Sequence, residues 1–201
     1  MTPAFLLTAF IVCITPGIGV VYTLSVTLGA GWRAGLWATL GCTIATVLHL
    51  IVAMAGLAAI LHTSAILFQT IKFAGVAYLL WMAWAVLQST GSLAVTAAEG
   101  GAPGKIVWRG ILLNILNPKL PLFFVAFLPQ FLPTTNTSLL PMIELGLGFT
   151  AMTAFTFMIY VALAASSRHA ILGSPTVLAW MRRAFAASFA ALGARLAFER
   201  A

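Results

Sequence analysis

Residues 110–131 read GILLNILNPKLPLFFVAFLPQF. A helix needs about 20 mostly apolar residues to cross a bilayer, and this stretch has that length and character. Inside it stand two amides, Asn114 and Asn117, then Pro118 and the ammonium of Lys119. Proline removes one backbone donor, and its ring frees the carbonyl four residues back. In hydrocarbon such freed groups cost several kcal/mol unless something satisfies them. A buried ammonium costs at least about 2.5 kcal/mol at the centre of a span, so it normally faces a cavity or a partner. The stretch therefore reads as a membrane helix broken for a reason.

The rest of the chain has the same character. Of its 201 residues 62% are hydrophobic and 6% charged. A soluble domain carries about a quarter charged residues, so this chain could not clothe its surface in water. Its solvent is the lipid bilayer, and its length suits a single membrane domain over residues 1–201. The acids are Glu99, Glu144 and Glu199 against ten Lys and Arg, a net charge of +7. Those bases lie one to three at a time between apolar stretches. That is the pattern of membrane loops rather than of a phosphate-tracking patch, so nucleic acid is not an expected partner. Cys13 and Cys42 both lie in apolar segments, with no CxxC and no Cys/His cluster. Neither a metal site, a cofactor nor a disulfide framework is expected. The first apolar run has no charge before Arg33 and is too long for a signal peptide, so it reads as a retained span.

The expected fold is an all-α integral membrane protein of about six transmembrane helices, at residues 3–28, 36–61, 65–87, 111–132, 139–165 and 177–198. The last is the weakest, because Arg182, Arg183 and Arg195 leave an uncharged stretch of only about 16 Å. It spans if those arginines snorkel to the interfaces. A polar linker, residues 89–110, separates a first repeat (1–88) from a second (111–201). Arg33, then Lys105 and Arg109, then Arg168, Arg182 and Arg183 fall in the first, third and fifth loops. The excess of bases puts those loops in the cytoplasm and both termini outside.

Three spans per half makes the halves opposite in orientation. Thr15-Pro16-Gly17 in the first half echoes Asn117-Pro118-Lys119 in the second. Broken first helices at corresponding places in two inverted repeats point to a transporter's midplane site. Helix ends there offer N–H groups to a carboxylate and C=O groups to an ammonium. The candidate substrate-binding residues are Thr15, Pro16, Gly17, Asn114, Asn117, Pro118 and Lys119. The plainer alternatives are proline kinks without a ligand and a lysine snorkelling to the cytoplasmic surface. Glu144 and mid-span His49 are the candidates for carrying a proton, although Glu144 and Lys72 could instead pair or reach the outer interface separately, and His49 could be a neutral imidazole bonded to a helix carbonyl. Tyr78, Trp81 and Trp84 fit an aromatic belt.

These segments together resemble the LysE/RhtB family of amino-acid exporters over nearly the whole chain. Residues 110–131 look like that family's Gly-x-x-x-Asn-x-x-Asn-Pro-Lys segment ending in Leu-Pro-Gln-Phe. Thr15-Pro16-Gly17 is similar to its first-helix Pro-Gly motif. Residues 31–41 and the Gly56-Leu57 step resemble its second helix, Lys72, Gly75, Tyr78 and Leu79 its third, and residues 192–197 its C-terminal signature. The resemblance implies efflux of a small amino-acid substrate across the bacterial inner membrane, driven by the proton gradient. Two departures stand out. Ile18 follows Gly17 where many members have Pro, and Thr46 stands where many carry an acid. If that acid is the usual proton carrier, coupling here must run through Glu144 or His49, or differ. The alternatives are a channel or lipid scramblase built on similar broken helices, or an intramembrane enzyme. For an enzyme the chain has no HExxH, no GxSxG and no paired acids. A homo-oligomer is compatible with the sequence.

Overall fold

The computed structural model describes residues 1–15, 17–60, 101–117, 119–132 and 139–167, with scattered residues in 73–84 and 174–197. Everything described is helix or connection; no strand occurs among these residues.

The helix α1 spans Pro3–Ile14. It starts where Thr2 accepts the Phe5 N–H and Pro3 occupies the first turn, whose missing donor costs nothing there. It stops at Thr15, and α2, Ile18–Ala30, continues at an angle of 54°. With 12 and 13 residues, each is roughly 18–20 Å long, too short to cross a membrane alone. The first expected span, 3–28, is thus a bent pair. Gly31 ends α2 at φ 87°, the left-handed conformation that favours glycine.

The helix α3 follows at once, Trp32–Ile60. Its 29 residues extend roughly 43 Å, more than the hydrocarbon thickness, so it tilts or projects. The helix α4 is Pro103–Ile115. It begins inside the stretch read as linker, before the expected start at 111. Pro103 sets its first turn, and its buried stripe is Ile106, Gly110 and Asn114, one residue per turn, with Lys105 and Arg109 exposed. Gly110 and Gly41 let α4 lie directly against α3: a Cβ on Gly110 would stand 3.1 Å from the Ala38 carbonyl.

The expected span 111–132 is not one helix. After α4 come a short turn α5, Lys119–Leu122, a π-helical turn, Phe123–Phe127, and a 3₁₀ turn, Leu128–Phe131. The π turn carries buried Phe123, Phe124 and Phe127. The helix α6, Leu140–Ser166, matches the expected span 139–165. Among the described residues two helices are long and apolar enough to cross a membrane, Trp32–Gly56 and Leu140–Ser166, or three spans if the bent pair counts as one. The expected spans 65–87 and 177–198 fall largely outside the described residues. Those described there include helical Ala83 and Ala186, both in the core, and Trp81 and Trp84, both exposed as a belt would have them.

Burial is arranged for lipid. Leu36, Leu40, Ile51 and Val52 on α3 and Leu140, Leu147, Phe155 and Leu163 on α6 lie exposed. In water such continuous apolar surface would aggregate. Inside are Thr8, Thr46, Thr150 and Thr153, which mostly return their hydroxyls to the carbonyl four residues back.

Candidate functional site

The two breaks meet. The Lys119 side chain, buried beside the start of α5, reaches across to the first half, where its Nζ donates to the Thr15 carbonyl. Thr15 closes α1: its N–H donates to the Ile11 carbonyl at 3.0 Å and its hydroxyl to the same oxygen at 2.6 Å. The next carbonyl, Ile14, accepts from the Tyr160 hydroxyl of α6 at 2.6 Å. The carbonyls that a broken helix leaves without intrahelical donors are therefore met by an ammonium and a phenol from the second half. That ammonium also stands where the helix dipole is negative.

A second network fixes the other side. The Lys119 backbone N–H donates to Asn117 Oδ1 at 3.2 Å. Asn117 Nδ2 donates to Asn114 Oδ1 at 3.2 Å, and Asn114 Nδ2 to the Cys42 carbonyl at 3.0 Å. The His49 ring Nε2 lies 3.2 Å from the Asn114 carbonyl and donates to it. Both amides are almost wholly buried. The start of α2 must come close to fit them. A Cβ on Gly19 would stand 2.6 Å from Asn114 Oδ1, and one on Gly17 3.0 Å from Asn117 Nδ2.

Between these elements lies a cavity of about 20 Å³, room for roughly one water. Asn114, Asn117 and Lys119 line it with Gly17, Gly19 and Cys13 of the first half. Ligand pockets run to hundreds of Å³, so this cavity as it stands is too small for an amino acid. Among the described residues there is no cluster of His, Cys, Asp and Glu fit for a metal.

Residues 10–200 match the family model of the LysE type translocator. The chain belongs to that family. An uncharacterized membrane protein of Vibrio cholerae is 32% identical over 98% of this chain and 97% of its own. The homoserine/homoserine lactone efflux protein of Salmonella typhi is 28% identical over 98% and 96%. The leucine efflux protein of an Enterobacter strain is 32% identical over 65% and 63%. No solved structure matches this chain.

In this LysE type translocator the sequence-derived candidates do not all converge. Thr15, Gly17, Asn114, Asn117 and Lys119 come together. Pro16 and Pro118 lie outside the described residues, as does Lys72. His49 joins the site through the Asn114 carbonyl. Glu144 does not line the cavity; its carboxylate accepts from the Met1 ammonium at 3.2 Å near the start of α6. Reading the sequence missed Tyr160, Gly19, Cys13 and Thr153. Thr150, Thr153 and Thr156 recur every third residue in an apolar helix, a polar stripe that could have pointed to Thr153.

Proposed function

We propose that this chain exports amino acids or closely related small zwitterions across the bacterial inner membrane, coupled to the proton gradient. One observation carries the reading: a buried ammonium from the broken helix of one half holds the broken helix end of the other. A zwitterion offers both partners that this contact needs. Its carboxylate takes the Lys119 ammonium, a charge-assisted bond stronger than the neutral one it replaces. Its own ammonium takes the Thr15 carbonyl that Lys119 leaves. Asn114 and Asn117 orient the carboxylate by directional hydrogen bonds, and Gly17 at the start of α2 lets it approach. In the sequence Pro16 and Pro118 each remove a backbone donor, one in each half, which supports a site between two inverted repeats. Loss of the Lys119–Thr15 contact on binding frees α1 to rock against α6.

Proton coupling runs through His49 or Glu144. His49 is the nearer to the site, and its hydrogen bond to Asn114 links its charge state to the wall of the cavity. Relatives named as homoserine and leucine efflux proteins support an amino-acid substrate. The test is a screen of toxic amino acids and analogues in cells overexpressing the chain. Resistance with lower intracellular accumulation of a particular amino acid, abolished by an uncoupler, is expected. Accumulation unchanged for every compound tested would overturn the reading.

A further inference from the structure

We infer that the part of the cavity wall made by Cys13, Thr153, Phe149 and Phe157 is the subsite for the substrate's side chain, and that it admits neutral side chains, aliphatic or hydroxylated, and rejects basic and acidic ones. This rests on the export reading above.

The argument begins with charge. Among the described residues that line the cavity, Lys119 is the one ionic group. Glu144, the one acid among the described residues, is tied to the Met1 ammonium. It precedes Thr153 by nine positions on α6, about two and a half turns away and on the opposite face. Of the other two acids, Glu99 belongs to the linker and Glu199 follows the last expected span. A lysine or arginine side chain would bring a second buried cation beside Lys119 and find no carboxylate. A glutamate side chain would bring a second carboxylate to a single ammonium already engaged by the first.

The neutral groups of the wall say what fits instead. Val12, Val20, Phe149 and Phe157 supply apolar surface. Phe149 is held by a parallel stack on Phe123, ring centres 3.9 Å apart, and by the Phe124 edge at 5.5 Å, so it bounds the subsite rigidly. Thr153 gives its single hydroxyl proton to the Phe149 carbonyl at 2.9 Å. Its oxygen is then the acceptor for the Cys13 thiol at 3.4 Å, a weak donor that a substrate hydroxyl outcompetes. The wall thus offers an acceptor to a hydroxylated side chain and apolar contact to an aliphatic one.

Counterflow with the full chain in proteoliposomes tests this. Leucine and threonine are expected to exchange, lysine and glutamate at least about fifty-fold more slowly, as expected for an unpaired charge in a span. Thr153→Val should lower the threonine-to-leucine ratio about five-fold, the effect of one lost hydrogen bond. Thr153→Asp should raise the lysine-to-leucine ratio, and Cys13→Asp, on the facing helix, asks the same if the first variant fails to insert. Wild-type exchange of lysine as fast as leucine would overturn the subsite and leave export standing. An unchanged threonine-to-leucine ratio in Thr153→Val would overturn the role of Thr153. Absence of exchange for every amino acid would overturn the export reading itself.

Discussion

The ammonium of Lys119 meets a neutral carbonyl where a carboxylate would be the stronger partner, and that asymmetry leaves room for a ligand. Lys119→Met keeps the length of the side chain and removes the charge. It should abolish efflux at near-normal membrane levels, because the loss of a desolvated ammonium offsets the loss of its contact. Lys119→Arg should rescue poorly, since a planar guanidinium is larger and places its donors differently. Transport assays at matched expression read both, and near-normal transport by the Met variant would mean a lysine that only caps α1. Gly19→Ala is the complementary test. Its methyl would press on Asn114, so we expect a loss of about 1–3 kcal/mol of stability, read as a lower melting temperature in detergent, with impaired transport. Lys119, Asn114 and Asn117 were legible because polar groups in an apolar run are conspicuous. Gly19 was not, since what makes it necessary is an amide about a hundred positions away. Tyr160 was hidden for a similar reason: its partner carbonyl, Ile14, lies 146 positions away.

At the scale of the element, the end of α1 is held from two sides, by Lys119 at Thr15 and by Tyr160 at Ile14. Tyr160→Phe leaves the Ile14 carbonyl without that donor and should cost about 1–3 kcal/mol. Because both contacts act on one helix end, Tyr160→Phe and Lys119→Met should not add. A double-mutant cycle on thermal stability is expected to show a coupling of about 0.5 kcal/mol or more. Strict additivity would mean that the two contacts hold α1 independently. The broken helices were legible from their prolines, and α3 and α6 from length and apolarity alone. The start of α4 was not: Gly101-Ala102-Pro103-Gly104 has the composition of a loop. Helix begins there because Pro103 fits a first turn and Gly110 docks on α3, a tertiary contact that overrides local propensity. The π turn was equally invisible, since FFVAF reads as ordinary helix.

For the whole molecule, the packed helices among the described residues have the relative directions that alternating spans require. Met1 meets Glu144 and Cys13 meets Thr153, so α1 and α6 run parallel. Tyr22 donates to the Ile106 carbonyl while Gly19 abuts Asn114, so α2 and α4 run antiparallel. Both relations hold whichever side of the membrane the termini occupy, so the side rests on the distribution of Lys and Arg alone. A cysteine introduced at Glu99 should therefore be labelled from the cytoplasm, and labelling by an impermeant reagent from outside would reverse the topology. Which surfaces touch was not legible in the sequence, because periodicity names a face without naming its neighbour. The contact between Lys119 and Thr15 joins groups 104 positions apart. A ribosome adding about 5–20 residues per second makes the second group roughly 5 to 20 s after the first. Throughout that interval the end of α1 waits in the membrane for a donor not yet synthesised. A chain cut within residues 89–110 should yield a first half that is degraded when made alone and rescued when the second half is made beside it.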